Sequence, residues 1–139
     1  MVNRPMAEII HGQTPLTLRP DATVQDACKN MHTRRFGAVL VVDEGGRLIG
    51  IFTGRDAVRC LAENMDPSAT SLDRVMTPNP HAMPPETKAI EALRLMRDGG
   101  FRHVPVVRDG LAVGIVSRDD FRGLERDRLE AEIELWERI

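Results

Sequence analysis

Gly37-Ala38-Val39-Leu40-Val41-Val42-Asp43, followed by Gly50-Ile51-Phe52-Thr53-Gly54-Arg55-Asp56, decides the reading because the chain says it twice. It returns as Arg102-His103-Val104-Pro105-Val106-Val107-Arg108, followed by Gly114-Ile115-Val116-Ser117-Arg118-Asp119-Asp120. The repeat is longer than those of solenoids, and two copies are too few for an array. Each copy is therefore expected to be a half-domain that buries its apolar face against the other, leaving a pseudo-symmetric body with paired clefts.

Working outward, Pro20-Asp21 lies opposite Pro85-Glu86, Asp26-Ala27 opposite Glu91-Ala92, Met31 opposite Met96, and Phe36 opposite Phe101. Gly46 reads as a one-residue insertion in a turn, because Gly50 aligns with Gly114 and Asp56 with Asp120 only after a shift of one. In the first copy, Leu16 to Leu18 is a short strand ended by Pro20. Val24, Ala27, Cys28 and Met31 mark one helical face, with Asp21 or Thr23 as its cap. Val39 to Val42 is a strand buried on both faces, Asp43-Glu44-Gly45-Gly46 a turn, and Arg47 to Phe52 a returning strand. Thr53 to about Met65 is a second helix with Val58, Leu61 and Met65 on one side. The second copy repeats this: a strand at His81 to Met83, a helix carrying Ala89, Ala92, Leu93 and Met96 that ends at Gly99-Gly100, a hairpin over 104–116, and a last helix from Phe121. The expected fold is α/β (α+β by some conventions), two β-α-β-β-α repeats. The boundaries are 1–70 for the first repeat with its N-terminal segment, 71–123 for the second, and 124–139 for an amphipathic C-terminal helix. In that helix Leu129, Ile133 and Trp136 are apolar, and the pairs 126/130, 128/132 and 134/138 have opposite charges at helical spacing. Trp136 suits either packing on its own module or a dimer contact.

Composition removes several functions. The chain has 139 residues, enough for one compact domain, and its 19 basic and 21 acidic side chains leave a formal charge of -2. Such a balance gives no basic field to hold a nucleic-acid backbone. Aromatic residues are scarce, so rows of rings that stack successive bases are missing. No stretch approaches the ~20 apolar residues of a bilayer span. The start, Met1 to Ile10, lacks the apolar core of a signal peptide. Cys28 and Cys60, both on helical segments, read as buried small residues, and a reducing cytoplasm is the expected compartment.

The order of these segments resembles a tandem pair of CBS domains, the cystathionine-β-synthase-type modules of Bateman pairs. The resemblance runs from about Ile9 to Phe121. It rests on Val75-Met76-Thr77-Pro78-Asn79-Pro80, on Gly100 to Val107, and on Gly114 to Asp120. It implies two repeats packed about a pseudo-two-fold axis, with two clefts that hold AMP, ADP, ATP or a related ligand such as NAD or S-adenosylmethionine. It also implies a regulatory role with no required cofactor, a homodimer, and an unidentified protein target.

Thr53-x-x-Asp56 and Ser117-x-x-Asp120 carry the chemistry. One reading is a capping box at each helix start. The other uses the same geometry: a helix start welcomes phosphate, its hydroxyl adds a hydrogen bond, and the aspartate accepts from ribose hydroxyls. The two are compatible. The sequence groups Ser117, Arg118 and Asp120 with Arg102 and His103, and then Thr53, Arg55 and Asp56. Asp119, aligned with Arg55, would repel phosphate, so the two clefts are expected to differ. An apolar slot for a base is expected from Thr17-Leu18, Ala82-Met83, Gly37-Ala38-Val39 and Val104, the small residues Gly37 and Ala38 leaving room for a ring. No nucleophile with a spaced base, P-loop or metal cluster is present, so the reading is a non-enzymatic sensor. A ligand-free interaction scaffold and, more distantly, a nucleotide hydrolase are the alternatives.

Overall fold

The computed structural model describes residues 4–121 and 123–137, with the side chains of 123–128 excepted. In chain order the elements are α1 (Met6–Ile9), β1 (Thr17–Leu18), α2 (Val24–Arg34), β2 (Ala38–Val42), β3 (Leu48–Thr53) and α3 (Gly54–Ala62). Then come α4 (Leu72–Val75), β4 (Thr77–Pro78), α5 (Ala89–Gly99), β5 (His103–Arg108), β6 (Leu111–Ser117), a 3-10 turn (Arg118–Asp120) and α6 (Gly123–Glu137). This is a mixed α+β fold with two small sheets. One has the order β1-β2-β3-β4 and the other pairs β5 with β6.

The two hairpins repeat each other. Ala38 pairs with Thr53 and Val41 with Gly50; His103 pairs with Ser117 and Val106 with Gly114. Each has a bulge at the same place, Val41/Val42 and Val106/Val107. The loops differ by one residue, as Gly46 foretold. Asp109 and Gly110, both at positive φ, close the second hairpin between Arg108 and Leu111, whereas Glu44, Gly45 and Gly46 close the first.

Three cores follow. α2 and α3 cover one side of the first sheet, enclosing Leu16, Val24, Ala27, Met31, Val39, Val41, Phe52 and Cys60. α5 and α6 cover the second, enclosing Ala89, Ala92, Leu93, Met96, Val104, Val106, Val116, Phe121 and Leu129. Between the hairpins lies a seam of Ala38, Leu40, Ile51 and Ile115, with Leu48 and Ala112 packed on it. At its end the loops are stitched by Leu48 N–H to the Gly110 carbonyl (3.1 Å) and Ala112 N–H to the Gly46 carbonyl (3.2 Å).

The first core also holds Leu72 and Val75 of α4, and the second holds Met6 of α1. Each copy's leading arm thus completes the other copy's core. The attachments match bond for bond. Met6 N–H reaches the Thr87 carbonyl at 2.8 Å, as Leu72 N–H reaches that of Ala22 at 2.8 Å. Ala7 donates to Pro85 and Asp73 to Pro20; Ala89 donates to Arg4 and Val24 to Thr70. The sheets are extended the same way. β4 pairs with β3, with Thr77 opposite Ile51. Around β6 a side chain stands in for the strand: the Gln13 amide donates to the Ile115 carbonyl (3.0 Å) and its oxygen accepts from Ile115 N–H (2.7 Å). The cores are therefore assembled across the chain-order division at 70/71.

Several expectations change. The strand expected over His81 to Met83 shrinks to a single parallel bridge between Met83 and Val106. Pro105 is the cause. In the first copy Leu40 N–H donates to the Leu16 carbonyl, and Pro105, aligned with Leu40, has no N–H to offer. The second helix ends at Ala62, and its expected packing face is turned outward, with Val58 66% and Leu61 80% exposed. The inward residues are Cys60 and, in part, Ala57 and Met65. The last helix begins at Gly123, after the 3-10 turn and the buried Phe121. There Leu129 is buried and Ile133 half-buried against the second core, while Trp136 is exposed. Of the charge pairs expected along it, each includes Arg126, Arg128 or Arg138, which lie outside the described side chains; Glu132 pairs with Arg94 of α5. Cys28 and Cys60 are free thiols, and burial raises the pKa of both.

Met6 is fully buried, so Met6→Ala is expected to cost about 2–5 kcal/mol in urea-unfolding free energy. Gln13→Ala should cost about 1–2 kcal/mol, because it strips two hydrogen bonds from a half-buried pair.

Candidate functional site

Two depressions flank the seam, each built from both copies. The larger, of about 590 Å³, is lined by Ile51, Thr53, Gly54, Arg55 and Asp56 from the β3–α3 junction, Thr77, Asn79, Pro80 and His81 from the arm, and Gly100, Phe101, Arg102 and His103 from the α5–β5 passage. The smaller, of about 180 Å³, is lined by Ile115, Ser117 and Asp120, by Gln13, by Arg35, Phe36, Gly37 and Ala38, and by His103. Sites for ligands of drug size occupy ~300–1,000 Å³. The larger cleft lies within that range and the smaller falls below it.

In the larger cleft the chain turns from strand to helix at Thr53. The Asp56 carboxylate accepts from Thr53 N–H (2.9 Å) and from its hydroxyl (3.1 Å), while Thr53 Oγ1 accepts from Asp56 N–H (3.3 Å). The capping box read from the sequence is therefore formed. One carboxylate oxygen carries these bonds; the other lies 3.7 Å from the Arg59 guanidinium. The Asp56 side chain keeps 17% exposure, toward the cleft it lines. Around it stand the exposed guanidinium-bearing Arg55 and Arg102 and the start of the nine-residue α3. The wall opposite is aromatic: His81 and Phe101 stack with centroids 5.9 Å apart and planes 8° from parallel.

The second junction repeats the hydrogen bonds without the helix. Asp120 accepts from Ser117 N–H (2.7 Å) and hydroxyl (3.1 Å), but the helical segment that follows is a three-residue 3-10 turn. Among the described residues, no array of N–H groups of α-helical length faces that cleft.

The structure regroups the residues read from the sequence. Thr53, Arg55 and Asp56 come together with Arg102 and His103; Ser117 and Asp120 come together with Gly37 and Ala38. Only His103 touches both sets. The reason is the sheet register, which sets each β-strand's helix junction beside the opposite copy's helix-to-strand passage. Arg118 is exposed on the 3-10 turn and lines neither cleft, its N–H donating to the Arg102 carbonyl (2.9 Å). Of the residues expected to form a base slot, Gly37 and Ala38 line the smaller cleft and the others lie elsewhere. Val104 is fully buried in the second core, Met83 packs against that core, Thr17 lies on β1, and Ala82 is exposed. The room expected at Gly37 is taken, since a Cβ there would lie 2.9 Å from His103 Nε2. Asn79, Pro80, His81, Phe101 and Gln13 were not read as site residues. The exchange of arms brings Asn79, Pro80, His81 and Gln13 here.

His103 is half-buried at the start of β5. Burial, the largest influence, lowers its pKa from the usual histidine value; Asp120 and Asp119 push it up and Arg102 pushes it down. Its neutral form is thus the one the fold favours.

Comparison with known proteins gives one family. The profile of the CBS domain matches residues 7–63 and again 72–126. The CBS domain-containing protein CBSCBSPB2 of Arabidopsis thaliana is 43% identical over 102 residues, which are 73% of this chain and 19% of that protein. The chain spans less than a fifth of the length of this and two similar Arabidopsis relatives. Among solved structures, the CBS domain protein PAE2072 from Pyrobaculum aerophilum, complexed with AMP, superposes with a TM-score of 0.83 at 21% identity, over 92% of this chain and 99% of that one. The CBS domain pair of protein MJ0100, in complex with 5′-methylthioadenosine and S-adenosyl-L-methionine, gives 0.76 at 26% identity, over 94% and 98%.

A histidine whose folded pKa is lowered takes up its proton in the unfolded chain first. Stability should therefore fall as pH drops from 7 through the unfolded histidine pKa, ~6.5, toward the folded value. In thermal melts at pH 7 and pH 5, His103→Gln is expected to lose less stability on acidification than the wild-type chain. Equal losses would contradict the burial argument.

Proposed function

The chain belongs to the CBS domain family, and from that premise we propose that it is a non-enzymatic regulatory module whose larger cleft takes an adenosine-containing nucleotide. One observation carries the reading: the β3–α3 junction brings a helix start, a hydroxyl, a carboxylate and the Arg55 guanidinium to one cleft of nucleotide size, and the opposite copy adds the guanidinium of Arg102. In this proposal the phosphates sit at the α3 N-terminus with Arg55 and Arg102, where the positive end of the helix and guanidinium donors meet negative charge. The Asp56 carboxylate accepts from the ribose hydroxyls. The Thr53 hydroxyl, which caps the empty helix, turns to the ligand. The base lies on the apolar wall of Ile51, Pro80 and Phe101. The adenosine compounds bound by MJ0100 support the ligand class. Cationic side chains at the cleft favour the anions AMP, ADP and ATP over the sulfonium of S-adenosylmethionine; NAD remains within the class.

The module signals, in this reading, by binding the ligand in one shape better than another and thereby altering its grip on a separate polypeptide. Among the described residues no helix is long and apolar enough to cross a membrane, and we place the protein in the cytoplasm, where free Cys28 and Cys60 are at ease. We also infer a homodimer. Val58 and Leu61 of α3 and Leu135 and Trp136 of α6 are each more than 60% exposed, large apolar side chains that a second copy would cover.

Thermal shift and calorimetry with AMP, ADP, ATP, NAD and S-adenosylmethionine test the ligand. A nucleotide at a hundred times its Kd should add about 2.7 kcal/mol of stability, and Asp56→Ala should weaken binding roughly 10- to 100-fold by removing hydrogen bonds to a charged acceptor. Silence across the panel favours a ligand-free scaffold. Sedimentation tests the assembly: Leu61→Glu is expected to shift a dimer toward monomer with the helical signal intact, and a monomeric wild type would refute the dimer.

A further inference from the structure

The two clefts derive from the same repeat, yet one has about 590 Å³ and the other about 180 Å³. The register shows where the symmetry breaks. Ala38 opens β2 opposite Thr53, and His103 opens β5 opposite Ser117, so the two residues occupy equivalent positions beside the seam. Each lines the cleft on its own side. The imidazole also crosses to line the smaller cleft, where its Nε2 lies 2.9 Å from the Cβ position of Gly37. The methyl of Ala38 makes no such crossing, and Ala38 is not part of the larger cleft's wall. Another unequal pair is Arg35 and Gly100, both in the left-handed conformation at the ends of α2 and α5. Arg35 is exposed, so it stands at the mouth of the smaller cleft and does not fill it.

We propose that His103 limits the chain to one nucleotide: its side chain, reaching across the seam against Gly37, occupies the volume that a second ligand would need beside Ser117 and Asp120. The inference rests on the nucleotide reading of the larger cleft. The hydrogen-bonding apparatus of the second junction is intact, since Ser117 and Asp120 reproduce the Thr53–Asp56 pair. Besides the longer helix start, it lacks space. The imidazole is also a wall common to both clefts, so a ligand that moves it on one side changes the room on the other.

Titration calorimetry with ADP tests this. The wild-type chain is expected to bind one ADP per chain. His103→Ala is expected to bind two, the second weaker than the first, and the double variant His103→Ala/Asp120→Ala should return to one. Two ADP on the wild type, or a single event that persists in His103→Ala, overturns the inference and leaves the nucleotide reading standing. No ADP bound by the wild type or by His103→Ala removes both. Thermal melts verify that His103→Ala is folded; if it is not, His103→Ser takes its place, and the wild-type stoichiometry remains decisive by itself.

Discussion

A two-stranded hairpin has two faces, and an isolated one cannot hide both. Here each hairpin turns one face to its helices and the other to the second hairpin. The shared seam of Ala38, Leu40, Ile51 and Ile115 is the constraint on which the rest depends. It forces the middle of β2 and β5 to be apolar, which is why Val39 to Val42 and Val104 to Val106 run without a polar break. It also fixes the clefts. With the hairpins face to face, the strand-to-helix junction of one copy lies beside the helix-to-strand passage of the other, and a hollow opens between them on each side. Neither hollow belongs to one repeat.

The electrostatics follow from that arrangement. The polar groups of the larger cleft come from three segments: hydrogen-bond donors at the start of α3, a guanidinium from the opposite copy, and the arm with Asn79 and His81. Burial lowers the pKa of His103 and so favours its neutral imidazole, and the positive character of the site rests on Arg55, Arg102 and the helix end. The smaller cleft has Arg35 and a turn too short to collect peptide dipoles. A duplicated sequence has thus produced two sites of unequal capacity, through substitutions at a few aligned positions.

Most of the architecture was legible because the repeat exposes its own alignment. The apolar runs, the helical faces of α2 and α5, and the single extra residue near Gly46 could all be paired off by eye. The capping boxes were legible for the same reason. What stayed hidden is non-local. No pattern within 6–15 or 72–80 says that these arms cross over, so the partner of Gln13 and the walls at Asn79 and His81 were invisible. Pairing by chain order put Ser117 with Arg102, while pairing in space puts Thr53 there. The outward face of α3 misled for a different reason: Val58 and Leu61 have core-like spacing, yet the sheet is already covered by Ala57 and Cys60. The loss of a strand at His81 was foreshadowed by Pro105, whose missing donor falls where the first copy needs one.

The crossed arms make the halves hostages to each other. A gene fragment encoding one repeat would specify a core with a hole where Met6 or Leu72 belongs, and a sheet edge with no neighbour. Drift in one half is felt by the other at once, because Gly50 has no side chain only so that Met76 can lie on it, and Gly114 does the same for Ile10. The heritable unit is the pair, and recombination that shuffles single copies breaks more than it joins.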